Sequence, residues 1–153
     1  MQLTQKEAEL QVSTKTIIVL AKTLKKHSQV AIYADNYFTS IELVEYLKHK
    51  LELWYVGTAR VNRVGCAPLM STKEMDKKAV PRGKYDYYSS NGIFVLRWKD
   101  DETVTLLSSD VGFQPVQNVK RYNHNAKKKV DVPCPQVIKQ YNGKMGTLRS
   151  QAC

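Results

Sequence analysis

The chain has 153 residues, of which 42% are apolar, and this is enough for one folded unit that buries roughly two-thirds of its unfolded surface. Lys and Arg number 24 against 14 Asp and Glu, and the formal net charge of +10 favours a polyanionic partner. Three cysteines without a CxxC pair argue against a disulfide framework and a zinc site. The sequence contains no run of about 18 consecutive apolar residues, the length that could span a membrane. We therefore expect a soluble protein of a reducing intracellular compartment, with no membrane partner.

After a polar segment at residues 1–12, the first part of the chain alternates between helix and strand patterns. The predicted order is helix 13–26 with Ser13 as N-cap, strand 30–34, helix 40–50 and strand 53–56. The segment from Thr39 to Glu42 fits a capping box at the start of the helix at 40–50. Helix, strand, helix and strand in about 45 residues predict an α/β layer with parallel pairing.

The pattern changes after Gly57. Residues 60–82 predict a loop or short helix, and three strand-like stretches then follow at 84–89, 93–99 and 103–108. Asn91 and Gly92 between the first two stretches are a strong hairpin signal, so residues 83–109 predict an antiparallel β-meander with Trp98 as a packing residue. The remainder, residues 111–153, contains three prolines and is predicted to be irregular and basic.

Asp35 is the residue whose position most suggests chemistry. It follows the apolar strand at 30–34, and the carboxyl end of a buried strand is where α/β folds bind ligands. The residue type alone leaves a second interpretation open, because Asp at such a position also serves as a turn or cap residue.

A cluster of cations in the last third of the chain is the second candidate feature. It comprises Lys120, Arg121, Lys127, Lys128 and Lys129. Such a run is typical of a nuclear-import signal or a phosphate-binding patch, and a solvated loop is the alternative.

Several short motifs resemble those of the piggyBac transposases and their domesticated derivatives. Residues 35–40 (DNYFTS) match a DNxFTS signature, residues 56–63 (VGTARVNR) match VGTxRxNR, and residues 141–146 (YNGKMG) match YNxxMG. Residues 104–109 and 132–135 resemble a strand and a proline-containing segment between them. The resemblance runs through residues 14–146, and the first and last motifs together are specific.

The resemblance implies an incomplete RNase H-like α/β fold that carries an inserted antiparallel meander. The implied organisation is a polar segment at 1–12, a partial core at 13–59, an insertion with the meander and a basic loop at 60–132, a return to the core at 133–146 and a divergent tail at 147–153. In that family three Asp residues hold two Mg²⁺ ions, because paired hard cations need clustered carboxylates. Asp35 matches the second acid, as a catalytic metal ligand, while Arg60 and Arg63 match basic positions that contact DNA.

Departures from the family pattern shape the functional hypothesis. The first acid is not found upstream of residue 14, and Gly146 is followed by Thr147 rather than by the expected Gly-x-Asp. We therefore predict a truncated transposase-derived protein of the nucleus that is inactive alone and binds DNA largely without sequence preference. The alternatives are an active transposase or nuclease, if a fuller chain supplies the acids, and a protein-interaction module. The strand at 30–34 would then present an open sheet edge, which a second copy or another partner could cover.

Overall fold

Five strands form one mixed sheet, and two further strands form a separate antiparallel ribbon. The computed structural model describes residues 11–24, 30–65, 67–110 and 114–151. Its helices are α1 (Val12–Ala21), α2 (Ile41–Lys50), α3 (Thr72–Met75) and α4 (Gln136–Gln151), with a 3₁₀ helix at Val61–Arg63. Its strands are β1 (Ala31–Ala34), β2 (Trp54–Thr58), β3 (Tyr85–Ser90), β4 (Ile93–Lys99), β5 (Thr103–Ser108), β6 (Val116–Asn123) and β7 (Lys128–Pro135).

The five-stranded sheet has the order β1-β2-β5-β4-β3. Strands β1 and β2 are parallel, with Ala31 opposite Trp54 and Ala34 opposite Gly57. The other neighbours are antiparallel, and β3, β4 and β5 form the predicted meander. The predictions of a mixed α/β layer, a parallel pair and a meander are therefore confirmed. Among the described residues β1 has β2 as its sole neighbour, so β1 lies at one edge of the sheet.

Helix α2 begins where its sequence predicts. The side chain of Ser40 accepts a hydrogen bond from the backbone N–H of Leu43, which satisfies one of the free donors of the first turn. Glu42 lies in the first turn and basic residues lie in the last, an arrangement that complements the helix dipole.

The prediction for the first helix is wrong in its details. The N-cap of α1 is Gln11, which makes no side-chain cap bond, while Ser13 is buried inside the first turn. The helix ends at Ala21, with Lys22 as the C-cap residue, rather than at Lys26, which lies outside the described residues. Ser13 turns inward because packing of this face outweighs the local capping preference.

The turn between β3 and β4 follows from its two residues. Asn91 and Gly92 have φ values of 53° and 74°, and Ser90 pairs with Ile93 across the turn. Positive φ at both central residues is the requirement of a type I′ hairpin turn, which Asn-Gly satisfies at low cost. The strands at 93–99 and 103–108 have the predicted bounds.

The prediction that residues 111–153 are irregular is wrong over residues 116–151. The loop interpretation of the lysine run holds for Lys127, which lies in a turn, and is wrong for Lys128 and Lys129, which begin β7. Residues 116–135 form the β6–β7 ribbon, whose register pairs Val119 with Val132, and residues 136–151 form α4. Pro133 and Pro135 occur in β7 because each strand of a two-stranded ribbon has one unpaired edge, where a missing N–H costs little.

Apolar side chains pack on both faces of the five-stranded sheet. Tyr55 and Val56 are adjacent in β2 and belong to different clusters, since successive side chains point to opposite faces. Helices α1 and α2 cover the face of Tyr55, whereas α4 and the base of the ribbon cover the face of Val56. The two layers hold the carboxyl ends of β1 and β2 in a fixed position.

Candidate functional site

Asp35 directly follows β1 and is exposed at the edge of the sheet. Its Oδ1 accepts a hydrogen bond from the backbone N–H of Tyr37 at 3.0 Å, and its carbonyl accepts one from the N–H of Phe38 at 3.3 Å. This is the turn chemistry expected of Asp at a strand end. The side chain is therefore fixed by its own turn and still faces solvent, so the turn and ligand interpretations are compatible.

A chain of hydroxyl groups holds this turn from below. Thr39 Oγ1 lies 3.0 Å from the carbonyl oxygen of Asp35 and 2.8 Å from the hydroxyl of the buried Tyr55. Burial raises the pKa of Tyr55 well above its usual range; the hydrogen bond with Thr39 lowers it and the nearby Tyr141 and Asp35 charges raise it. Tyr55 thus remains neutral and supports the turn as a hydrogen-bonding group.

Gly57 lets the turn approach β2 closely. A Cβ at this position would lie 2.5 Å from Thr39 Oγ1 and 2.7 Å from the carbonyl oxygen of Ala34. Both distances are shorter than any real Cβ contact, so a side chain at Gly57 would displace the turn that carries Asp35.

Helix α4 brings a third motif to the same edge of the sheet. The hydroxyl of Tyr141 lies 3.3 Å from Thr58 Oγ1, and Gln140 Nε2 donates a hydrogen bond of 2.6 Å to the hydroxyl of Tyr33. Thr58 ends β2, and Tyr33 lies two residues before Asp35. The beginning of the segment at 141–146 therefore lies beside the strand ends that precede Asp35 and Arg60.

Arg60 and Arg63 follow β2 at the edge where Asp35 follows β1, because the two strands are parallel and in register. Arg60 is exposed and precedes the 3₁₀ helix, in which Arg63 is partly buried. Arg63 lines a cleft of about 540 Å³ with Asn62 and Ser40, and its Nη1 is buried without a hydrogen-bond partner. Within the described ranges neither arginine forms an ion pair with a carboxylate.

The carboxylates near this edge do not form a metal centre. In the part of the chain that the structure describes, no three His, Cys, Asp or Glu side chains come close enough to hold an ion. Asp110 follows β5, whose end pairs with the amino end of β2, because Ser109 and Tyr55 exchange hydrogen bonds there. Asp35 alone does not fit a pair of Mg²⁺ ions, and no metal-dependent step follows from the described residues.

The five cations of the predicted basic cluster fall into two groups, those that form ion pairs and those that do not. Lys120 Nζ lies 2.6 Å from Asp131, and Arg121 Nε lies 3.2 Å from Asp100. Lys127, Lys128 and Lys129 are exposed at the end of the ribbon and make no ion pair within the described ranges. The predicted DNA-binding residues thus occupy two places, the sheet edge and the ribbon, with two of the five ribbon cations already paired.

Sequence reasoning missed the supporting residues Tyr55, Gly57 and Thr58. A tyrosine in an otherwise apolar buried strand requires a partner for its hydroxyl, and this signal could have identified Tyr55. Nothing local in the sequence connects Thr58 with Tyr141, which is 83 positions away.

Comparison with known proteins places the chain in a family. The sequence model described as Transposase IS4 matches residues 1–152. The chain belongs to this transposase family. It is 39% identical over 113 residues to human PiggyBac transposable element-derived protein 3 and 36% identical over 117 residues to human PiggyBac transposable element-derived protein 2. The resemblance to piggyBac transposases inferred from the motifs is confirmed.

The matches cover most of this chain and a small part of its relatives. They include 73% and 75% of this chain, and 18% and 19% of the two human proteins. The fold is similar to the piggyBac transposase in the cryo-EM structure of its synaptic complex with hairpin DNA, with a TM-score of 0.63 and 23% identity. That match covers 94% of this chain and 28% of the other. The chain thus spans less than a third of the length of the relatives and of the solved structure that it matches.

None of the helices described in this transposase-family chain is both long and apolar enough to cross a membrane.

Proposed function

We propose that this part of a transposase-derived protein binds DNA at the sheet edge that carries Asp35, within an RNase H-like arrangement. The observation that carries the proposal is the position of Asp35, Arg60 and Arg63, which follow the carboxyl ends of two neighbouring parallel strands. Arg60 is exposed, and Arg63 has a guanidinium nitrogen without a partner beside an open cleft. Guanidinium groups in such positions recognise phosphate oxygens, which supply sequence-independent affinity.

Asp35 is proposed as one carboxylate of a composite Mg²⁺ site. Its Oδ1 is occupied by the N–H of Tyr37, and Oδ2 accepts no hydrogen bond from the described residues, so one oxygen is available to a cation. Because no three possible ligands come together among the described residues, the other ligands must come from elsewhere. The chain by itself is therefore proposed to bind DNA without cutting it.

Fluorescence anisotropy with a labelled duplex tests the DNA proposal. The apparent affinity should fall steeply with salt, with a slope of roughly 0.9 in log–log units for each phosphate neutralised. The double variant R60Q/R63Q should bind at least about fivefold more weakly and show a smaller slope. The matched control K48Q/K50Q removes the same charge from the last turn of α2, where Lys48 contacts Asn91 at the opposite end of the sheet. Equal losses in both variants would reduce the effect to net charge and overturn the proposal.

A nicking assay separates DNA binding from catalysis. Supercoiled plasmid incubated with the chain and Mg²⁺ should remain intact, because a single carboxylate cannot hold two metal ions. Mg²⁺-dependent nicking that is lost in Asp35→Asn would instead support the second candidate, an active nuclease or transposase completed by a fuller chain or a second copy.

A third candidate function, protein interaction, is favoured by the unpaired long side of β1, the outermost strand of the sheet. Ile32 and Tyr33 are partly exposed there, and β1 has one neighbour among the described strands. A strand from a second copy or another protein could pair with this edge. Light scattering after gel filtration is repeated after nuclease treatment and at about 1 M salt, where the Debye length is about 3 Å instead of about 10 Å at 0.1 M. A dimer that survives both treatments is a protein dimer and not a DNA-mediated assembly.

Nuclear localisation belongs to the same proposal, with Lys127, Lys128 and Lys129 as the import signal. A fluorescent fusion in which the three lysines are replaced by glutamine should lose nuclear accumulation if the proposal is correct.

A further inference from the structure

The β6–β7 ribbon has one face toward the sheet and one toward solvent. Val132 and Cys134 are buried, and Val119 and Val130 are partly buried, so these positions point inward. By the alternation of strand side chains, the residues between them point outward. The outward face carries Asn118, Lys120, Tyr122, Lys129 and Asp131, all of them exposed.

Side-chain bonds fix the ribbon to the sheet. Arg121 and Arg82 both bind the carboxylate of Asp100, at 3.2 Å and 2.6 Å, and Arg82 Nη1 also donates to the carbonyl of Tyr122. Near the base of the ribbon, Trp98 Nε1 donates a 2.7 Å hydrogen bond to the carbonyl of Pro133. The ribbon is therefore held in one orientation, with the exposed end that carries its turn beside Arg82 and Asp101.

The end of the ribbon that carries the turn between β6 and β7 is strongly basic. Lys127, Lys128 and Lys129 are consecutive and exposed, and no described acid pairs with them. Lys129 lies directly across from Tyr122, whose ring makes an edge contact with His124 at 5.0 Å. The end thus joins three uncompensated cations to two exposed rings.

We propose that this end of the ribbon is a second contact with duplex DNA, inserted into the major groove. The proposal rests on the proposed function, since it assumes that DNA is the partner. Two antiparallel strands about 4.8 Å apart fit a groove about 12 Å wide, and a ribbon of this kind is one of the two elements that the major groove admits. Charge complementarity selects DNA over an apolar partner, because three exposed lysines lie at this end of the ribbon and the nearby acid Asp131 is already paired with Lys120.

The ion pairs also assign different roles to the five cations. Arg121 is partly buried and bound to Asp100, so it positions the ribbon. Lys120 is paired with Asp131 on the outward face, where both side chains are more than half exposed at 66% and 53%. The phosphate contacts therefore come first from Lys127, Lys128 and Lys129, while Asp131 opposes them.

The direct test compares two triple variants that remove the same charge. K127Q/K128Q/K129Q should bind a 20-base-pair duplex (about two helical turns) at least about tenfold more weakly in 0.1 M salt, with a salt slope smaller by roughly 0.9 per lost phosphate contact. The control K50Q/K73Q/K78Q should retain most of the affinity and the wild-type slope. Similar losses in the two variants would overturn the proposal.

A gain of binding tests the same idea without risk of misfolding. Asp131→Asn releases Lys120 and removes the repulsion, so it should tighten duplex binding several-fold, by about one added phosphate contact. Glu45→Gln, an exposed position on α2, makes the same charge change far from the ribbon and should alter affinity less. Equal or weaker binding by Asp131→Asn would contradict the ribbon contact.

Further outcomes show whether duplex DNA is the partner and which of the two proposed sites binds it. A single strand of the same length that binds as tightly as the duplex would exclude insertion into a groove, and retention of an acidic protein in place of DNA would exclude the nucleic-acid partner. If R60Q/R63Q binds normally while the lysine variant is weak, the ribbon contact holds and the sheet-edge proposal fails. The opposite pattern overturns the ribbon and leaves the edge.

Discussion

The buried hydroxyl of Tyr55 lies 2.8 Å from Thr39 Oγ1, and this contact connects the core of the sheet to the turn that carries Asp35. Thr39 has one hydroxyl proton and donates it to the carbonyl of Asp35 at 3.0 Å, so Tyr55 must be the donor in the first bond. Tyr55 therefore donates its hydroxyl proton to Thr39, and Thr39 donates its own to Asp35. A residue 20 positions away in the sequence therefore holds the backbone of the candidate metal ligand.

Thr39→Val tests this chain of bonds. The variant keeps the shape of the side chain and leaves the buried Tyr55 hydroxyl without a partner, so we expect the free energy of unfolding to fall by about 1–3 kcal/mol. Chemical denaturation followed by tryptophan fluorescence measures the change. The double variant Thr39→Val/Tyr55→Phe should recover part of the loss, because both polar partners are then absent. Strictly additive losses would show that the two hydroxyls are not coupled.

Gly57→Ala should destabilise the same turn by steric overlap rather than by the loss of a hydrogen bond. The added Cβ would lie 2.5 Å from Thr39 Oγ1 and 2.9 Å from Tyr55 Cε1, so we expect a loss of about 2–3 kcal/mol in unfolding free energy. The control is Gly143→Ala in α4, where nothing lies within 4 Å of the new Cβ and helix propensity should add about 1 kcal/mol. A neutral Gly57→Ala would contradict the close packing.

Local chemistry made part of this fold predictable. Ser40 caps α2, and Asn91 and Gly92 form the hairpin turn, because each interaction is made within four residues of sequence. The strand at 93–99 has the predicted bounds because its apolar side chains pack on both faces. The position of Asp35 at a strand end was also accessible from the sequence, since the apolar run stops there.

Long-range packing determined what could not be predicted. The ribbon was missed because its outward face is polar and its strand β7 contains Pro133 and Pro135, which are unfavourable in a central strand. Trp98 and Asp100 hold the ribbon in place from β4 and the turn after it, at a distance of 35 and 21 positions in sequence. The carboxylate of Asp100 binds two arginines, a role that no local pattern indicates.

Asp100→Asn should loosen the ribbon. The carboxylate is 24% exposed and binds Arg82 and Arg121 together, so its loss leaves Arg121 without its acid and Arg82 with only the exposed Asp101. We expect a decrease of about 1–3 kcal/mol in unfolding free energy and faster amide exchange in β6 and β7. Asp101→Asn is the matched control, because Asp101 is 80% exposed and lies 3.4 Å from Arg82. It should change stability by less than about 1 kcal/mol. Equal losses of stability in the two variants would show that Asp100 does not anchor the ribbon.

Stability should decline at alkaline pH partly because of Cys134, which is fully buried in β7. Burial raises the pKa of the thiol from 9.0 to about 11, while Arg121 and Lys139 lower it and Asp100 raises it. The unfolded chain releases this proton first, so the contribution is complete below pH 9 and is lost as the pH rises towards 11. The loss amounts to about 2–3 kcal/mol at most, since one unit of pKa corresponds to about 1.4 kcal/mol.

Denaturation curves from pH 8 to 11 for the wild type and Cys134→Ala measure this loss of stability. The variant lacks the packing of the thiol at every pH, and the difference between the two proteins should shrink through this range because only the wild type has the thiol to titrate. A constant difference would show that Cys134 does not contribute to the alkaline decline.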